Sequence, residues 1–228
     1  MKVKIADLRP TQSVVGLYEV RHKIRQLQSI AHDHKGLNDY KRINPAPAVR
    51  AYNGHLYIID HHHLAVALHH MKQQDIYVKV IKDYSNLSKN DFITRVQKHK
   101  WVYLKDQHGK DITFEQLPTS IAQLKNDPYR SLAAIVRDNH CFEKTVVPFA
   151  EFQWALYFRS KEILKNDVDG MNSEGMNIDG MNSDDEIAAD IKAEKFSLHN
   201  IEEACRLAHS KDAQHLPGWK SESSKPSR

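Results

Sequence analysis

Three adjacent histidines preceded by an aspartate are the residues of this chain that could do the widest range of chemistry. Asp60, His61, His62 and His63 follow the apolar pair Ile58-Ile59. Imidazole serves as a general base and as a donor to phosphate near neutral pH, and a carboxylate can orient a histidine or bind a divalent ion. All four are therefore candidate catalytic residues. His62 and His63 are also candidates for holding phosphate, and Asp60 is a possible metal ligand.

The elements around these residues predict a strand-to-helix corner. Ala48 to Tyr52 and His55 to Ile59 flank Asn53-Gly54, a strong signal for a tight β-hairpin, and apolar residues recur at helical spacing from Leu64 onward. Such a corner gathers polar side chains and helix amides where α/β proteins bind phosphates. The structural alternative is that Asp60 caps the helix and the histidines are solvated residues of its first turn.

Spacing argues against a zinc site built from this segment alone. A zinc site on one helix needs two histidines four residues apart, and no such pair lies between His61 and His70. Asp60 and one histidine could still join ligands from elsewhere in the chain. The cofactor is therefore left open, with Mg²⁺ or Mn²⁺ as the possible ions.

A second candidate site begins at Asp127-Pro128, which predicts a helix start with Asp as the cap. A cation in the first helical turn opposes the helix dipole unless an acid or a bound anion faces it. Arg130 and its neighbours Tyr129 and Ser131 are therefore candidates for binding phosphate. The alternative is an ion pair between Arg130 and an acidic core residue.

A third candidate lies on the helix predicted to start at Pro148. Aromatic residues on several of its sides indicate that most of its circumference is buried. Glu151 on this helix must be paired or have a raised pKa, which makes it a candidate catalytic base or a partner that positions Arg130. Arg159, two turns further on, is a candidate phosphate ligand. A structural ion pair is the alternative for both.

The N-terminal segment contains two polar residues that matter if its first strand ends at the same pocket as the histidine turn. Lys2 to Leu8 alternates like a short edge strand that ends at Arg9-Pro10, and Gly16 to Ile30 repeats apolar residues at helical spacing. Gln12 follows the strand and Glu19 lies near the start of the helix. The alternative for Glu19 is a surface pair with Lys23.

The chain is predicted to form an α+β core followed by helical parts. Other expected elements are a strand at Ile76 to Ile81, a helix capped by Ser88 and a short strand at Trp101 to Leu104. Repeats of Gly-Met-Asn predict a linker. The expected organisation is a core at 1–105, a helical part at 106–165, a linker at 166–186, helices at 187–219 and a disordered tail at 220–228.

Net charge, cysteine spacing and the lengths of apolar runs limit the kinds of protein that this chain can be. The net charge of +4 is mild, so nucleic acid is a possible partner that the charge does not indicate. Cys141 and Cys205 lie far apart, which predicts two ordinary thiols without a disulfide. No apolar run is long enough for a membrane span or a signal peptide, so we expect a soluble, cytoplasmic protein with no membrane partner.

Four segments in order resemble the ParB-like putative nuclease family. They are Leu8 to Gln12, Ile59 to Leu64, Asp127 to Ala133 and Pro148 to Ala155, and the resemblance covers Lys2 to Lys165, with Leu216 to Trp219 as a closing motif. It implies the ParB/sulfiredoxin fold, a small mixed sheet with packed helices, in which a strand-turn-helix binds the phosphates of a nucleotide.

The resemblance also limits the chemistry. The corresponding turn carries Gly with Arg in partition proteins, which bind CTP, and Gly-Cys-His-Arg in sulfiredoxins, which use ATP. Asp60 to His63 has neither the Cys nor the Arg, and the missing Cys nucleophile excludes sulfiredoxin repair. The turn is closer to that of the free serine kinases, which use an acidic base near the first strand. This likeness implies Gln12 and Glu19 as candidate nucleotide-binding residues. The expected function is a phosphoesterase, nuclease or phosphotransferase. The alternative is a non-catalytic module that responds to CTP or ATP.

Overall fold

The computed structural model describes residues 1–31, 34–165 and 196–221. These residues form two compact units. The first unit comprises Met1–Val15 and Glu19–Asn126, and the second comprises Gly16–Tyr18 and the described residues from Asp127 onward. The predicted linker at 166–186, the predicted helix around Ile187 and Ile191, and the tail from residue 222 lie outside the described residues.

A five-stranded mixed sheet forms the centre of the first unit. The strands of this unit are β1 (Lys2–Lys4), β2 (Leu8–Pro10), β3 (Val14–Val15), β4 (Ala46–Arg50), β5 (Leu56–Ile58), β6 (Asp75–Asp83) and β7 (Lys125–Asn126). The order in the sheet is β1-β6-β4-β5-β2, and β3 pairs separately with β7. The predicted hairpin is confirmed as the antiparallel pair β4–β5, with the turn at Gly54 in a left-handed conformation (φ 80°).

Seven α-helices lie in the described part of the chain. They are α1 (Leu17–Ile30), α2 (His34–Ile43), α3 (His62–His70), α4 (Lys89–Lys98), α5 (Pro128–Asp138), α6 (Ala150–Ser160) and α7 (Leu198–Ala208). The α+β class and the helix starts signalled by local caps are confirmed. Ser88 Oγ accepts from the Asp91 amide at 3.1 Å, and Asp127 Oδ1 accepts from the Tyr129 amide at 2.9 Å. No helix in the described residues combines the length and apolar character needed to cross a bilayer.

Several predicted elements begin or end at other residues, and three predictions need correction. Lys2 to Leu8 forms two short strands separated by a 3-10 turn, and Arg9-Pro10 continues the second of them, where proline is tolerated because β2 is an edge strand. Trp101 to Leu104 is not a strand, since its apolar residues pack against a cluster around Phe92 instead of pairing in a sheet. Helix α6 begins at Ala150, after a left-handed Phe149, and not at Pro148.

The second unit packs α5, α6 and α7 around aromatic side chains. Trp154 is fully buried, stacks on Phe142 at 4.3 Å between ring centroids, and donates its indole N–H to the Pro217 carbonyl at 2.8 Å. The predicted burial of most of the α6 circumference is confirmed. Because Cys141 follows α5 and Cys205 lies on α7, this packing brings the two cysteines together. They form a disulfide with 5.3 Å between their Cα atoms, so the prediction of unpaired thiols was wrong.

Candidate functional site

The ends of two parallel strands position the histidine turn. Strands β2 and β5 run in parallel with Pro10 opposite Ile58, so the chain leaves the sheet at one edge through Thr11 and through Ile59. Thr11 Oγ1 donates to the Ile58 carbonyl at 2.9 Å, which ties the two strand ends together. The start of α3 is thereby fixed to the sheet.

His61 makes the corner between strand and helix. It adopts a left-handed conformation (φ 64°) as the residue before α3, and its side chain makes no capping hydrogen bond. Asp60 does not cap the helix, because its Oδ1 accepts from the His61 amide at 2.6 Å, so that structural alternative was wrong. A non-glycine residue in this conformation costs about 1 kcal/mol, a strain that is often found at ligand-binding turns.

His62 stabilises the fold. Its side chain is buried with 4 % exposure, and its Nε2 accepts from the Thr11 amide at 3.2 Å. Burial, with a smaller contribution from His63 and His61, lowers the pKa of His62 to about 3. The ring is therefore neutral near pH 7 and holds β2 against α3. The expectation that the histidines are solvated fails for this residue.

His63 and Glu19 form a carboxylate–imidazole pair. His63 Nε2 and Glu19 Oε2 lie 3.2 Å apart, and 22 % and 19 % of the two side chains are exposed. Glu19 lies in the first turn of α1. The suggested surface pair of Glu19 with Lys23 is not formed, since Lys23 donates to Gln26 and Tyr40. The two atoms are close but do not have the geometry of a hydrogen bond. A partly buried imidazole beside a carboxylate is an arrangement suited to proton transfer.

The other predicted residues of the first unit contribute less to this pair. Asp60 is exposed, and the Nε2 of buried Gln12 donates to the Val14 carbonyl at 2.7 Å. Within the described residues, no three His, Cys, Asp or Glu side chains converge on a position that could hold a metal ion. The residues therefore do not fit a preformed site for Mg²⁺ or Mn²⁺. An open cleft of about 400 Å³, which Arg42 and Lys79 help to line, contains none of the predicted site residues.

In the second unit the start of α5 is held by buried polar contacts. Asp127 Oδ1 accepts from the Tyr129 and Arg130 amides and from Arg159 Nη2, the last at 2.6 Å. The guanidinium of Arg159 lies over the Tyr129 ring, 4.4 Å from its centroid. Ser131 Oγ accepts from the Tyr18 amide at 3.2 Å. Tyr129, Ser131 and Arg159 thus support the fold, and their phosphate role stays a prediction.

Glu151 is shared between two arginines of α5. Its Oε1 accepts from Arg137 Nη1 at 2.6 Å, and its Oε2 lies 4.0 Å from Arg130 Nη2. Burial raises the pKa of Glu151, but the charge of Arg130 and the hydrogen bond from Arg137 outweigh burial, so the pKa lies below its ordinary value. A carboxylate of this kind positions arginine better than it accepts a proton. Arg130 therefore forms an ion pair with Glu151, which was the alternative to phosphate binding.

Two residues in these contacts were missed by the sequence analysis. Arg137 follows Arg130 by seven residues, which puts both on one helical face, so its spacing was a usable signal. Thr11 carried no such signal, because its partner His62 lies 51 residues further on. The structure brings together His62 with Thr11, His63 with Glu19, and Glu151 with Arg130.

A small mixed sheet whose hairpin strand runs through an Asp-His turn into a helix defines a ParB-like α+β protein. The sequence pattern of the family described as putative ParB-like nuclease matches residues 1–160, and the chain belongs to that family. The predicted family and fold are confirmed.

Among the solved structures that match, one is similar over nearly the whole chain. It is the crystal structure of protein Atu1540 from Agrobacterium tumefaciens, with 26 % identity, a TM-score of 0.73 and 97 % of each chain covered. A comparison with curated proteins finds no match. The similarities therefore extend to the family and the fold, and the chemistry must be inferred from this chain's own residues.

Proposed function

We propose that this ParB-like protein binds a nucleotide or another phosphate ester at the start of α3 and acts on it as a phosphoesterase, nuclease or phosphotransferase. The observation that carries the proposal is the contact between His63 and Glu19, 3.2 Å apart, at a helix start whose preceding residue provides no side-chain cap. A helix start attracts anions through its amides and its dipole. The paired imidazole then lies beside the position where phosphate would bind.

The roles within the turn differ from one histidine to the next. His63 takes the proton of the attacking hydroxyl or water, and Glu19 is a positioning residue that orients the imidazole and stabilises its charged form. His62 keeps the turn in place through Thr11. Asp60, exposed beside the turn, remains a candidate for orienting the substrate. No step is assigned to a metal ion, since the described residues contain no cluster to hold one.

A thermal-shift screen over nucleotides with Mg²⁺ or Mn²⁺, followed by product analysis, tests the proposal. We expect ATP or CTP to raise the melting temperature and phosphate or a cleaved product to appear. His63→Gln should keep the thermal shift and lower turnover by about 100-fold or more. Glu19→Gln should lower turnover by about tenfold and change its pH profile. His70→Gln, which removes a buried histidine at the other end of α3, is the matched control.

The same experiment separates the alternatives. If a nucleotide raises the melting temperature but nothing is released from nucleotides or DNA, the protein is a non-catalytic nucleotide-responsive module. If no nucleotide shifts the melting temperature, binding at the start of α3 is wrong. Equal turnover in His63→Gln and the unmodified protein would show that His63 is not the base.

A further inference from the structure

The C-terminal end of α4 carries positive charges that, in the described part of the chain, have no acidic partner. Arg95, Lys98 and Lys100 are exposed, and no acidic residue occurs between Phe92 and Lys105. The cations on either side are paired, Lys89 with Glu115 at 2.8 Å and Lys105 with Asp111 at 2.8 Å. Within the described residues, no ion pair involves Arg95, Lys98 or Lys100. The positive charge at this end of the helix is therefore available to an external anion.

An aromatic stack lies among these charges. The His99 ring stacks on Trp101 with 4.3 Å between centroids and 18° between planes. Trp101 is half-buried and packs against the cluster of buried residues that includes Phe92 and Val96, whereas His99 is exposed. Trp101 therefore anchors the stack to the core, and the His99 ring is exposed to solvent. Bases of single-stranded nucleic acid stack on aromatic side chains of this kind, with cations on the backbone phosphates.

Lys100 occupies a position where glycine would be more stable. It follows the helix cap with φ 54°, its amide donates to the Gln97 carbonyl, and the Trp101 amide donates to the Val96 carbonyl. This is the helix ending in which glycine is preferred, because other residues are strained there. Lys72 ends α3 with the same bonds and φ 55°. The two lysines are therefore a matched pair, alike in local geometry but with different surroundings.

We propose that the surface formed by Arg95, Lys98, His99, Lys100 and Trp101, the α4 surface, binds single-stranded nucleic acid. The cations contact successive phosphates, and a base stacks on the exposed face of the aromatic pair. A duplex offers this flat stack no free base face, whereas an unpaired strand does. The inference deepens the proposed function, since it names single-stranded nucleic acid as the substrate class. Cleavage of the bound strand rests on the proposed function, whereas binding to the α4 surface does not.

Fluorescence anisotropy of a labelled oligothymidylate of about 16 nucleotides, without divalent metal, tests the α4 surface. Lys100→Gly should weaken binding about three- to tenfold at about 50 mM salt and reduce the slope of log K against log salt by about 0.7. It should also raise the melting temperature by a few degrees, because glycine relieves the strain. Lys72→Gly, the matched control, should give the same stabilisation with unchanged binding.

Two further variants strengthen the test. Changing Arg95→Gln and Lys98→Gln together with Lys100→Gly should reduce the salt slope by about 2. Trp101→Phe, which preserves most of the packing, should weaken binding about threefold through poorer stacking.

Three results would overturn the proposal. They are no binding by the unmodified protein, equal binding by the triple variant, and binding of a duplex of the same length at least as tightly as the single strand. Because the assay needs no turnover, its failure leaves the nucleotide-dependent thermal shift untouched. A missing thermal shift would in turn leave binding at the α4 surface intact.

Discussion

The three histidines of the α3 turn have three different surroundings, although they are consecutive in the sequence. His61 forms the left-handed corner, His62 is buried against Thr11, and His63 pairs with Glu19. The residue types predicted a polar corner with imidazole chemistry. They could not distinguish the three roles, because each role depends on a partner that only the folded sheet brings near.

His62 makes stability depend on pH. In the folded protein burial keeps this ring neutral down to a pKa of about 3, whereas an unfolded histidine titrates at about 6.5. Between these values the unfolded state binds one more proton, so unfolding becomes easier as the pH falls, by about 1.4 kcal/mol per pH unit. Above about pH 6.5 the contribution is constant.

Replacing His62 by glutamine, which can still accept from the Thr11 amide, should remove that part of the slope. Urea unfolding between pH 7 and pH 4.5 measures it, with His55→Gln on the exposed hairpin turn as the control. Burial also lowers the pKa of His70, to about 4. His70 therefore makes its own contribution to the dependence of stability on pH, and that contribution remains in the His62→Gln variant. Parallel pH profiles for His62→Gln and the unmodified protein would contradict the assignment of a buried neutral ring.

At the level of elements, the sequence was informative wherever the signal was local. The Asn53-Gly54 turn, the Ser88 cap and the Asp127-Pro128 helix start each depend on residues within one turn, and each is present. Trp101 to Leu104 was misjudged because its apolar pattern comes from packing on a distant cluster and not from a sheet. The partners of Glu151 were also uncertain, because Arg130 and Arg137 lie on another helix that only folding brings near.

Two glycines in left-handed turns give a test of packing at the element level. Gly54 has φ 80° and open space where a methyl group would lie, whereas a methyl group on Gly218, with φ 74°, would collide with the Glu143 carbonyl. Gly54→Ala should cost about 1 kcal/mol of unfolding free energy from conformation alone. Gly218→Ala should cost about 3 kcal/mol or more, because it also breaks the closing turn next to Pro217.

Equilibrium unfolding of the two alanine variants gives the comparison directly. Their difference reports the close approach between Gly218 and Glu143, whose amide donates to the Gly218 carbonyl at 2.8 Å. Equal losses in the two variants would show that the C-terminal turn does not pack as described.

For the whole molecule, net charge and cysteine spacing did not reveal two local features of the structure. A net charge of +4 gave no indication of nucleic acid, yet cations that lack acidic partners among the described residues are concentrated at the end of α4. The distant cysteines gave no indication of pairing, yet helix packing in the second unit joins them. Disulfides are rare in cytosolic proteins, so this bond gives no support to the expected cytoplasmic location.

Reduction of the Cys141–Cys205 bond should destabilise the second unit. The bond closes a loop across 64 residues of sequence. The entropy that this closure removes from the unfolded chain stabilises the folded state by about 4 kcal/mol. We expect a reductant to lower the melting temperature of the unmodified protein. The double variant Cys141→Ser with Cys205→Ser should melt at the reduced value and should not respond to reductant. A melting temperature that is insensitive to reductant in the unmodified protein would exclude the bond.

The same bond also determines how the chain separates into fragments. The five methionines lie at positions 1, 71, 171, 176 and 181, so chemical cleavage after methionine places Cys141 in fragment 72–171 and Cys205 in fragment 182–228. These fragments are not adjacent in sequence, since residues 172–181 are cut away between them. Before reduction, mass spectrometry should detect the two fragments as one disulfide-linked species. After reduction it should detect two separate fragments.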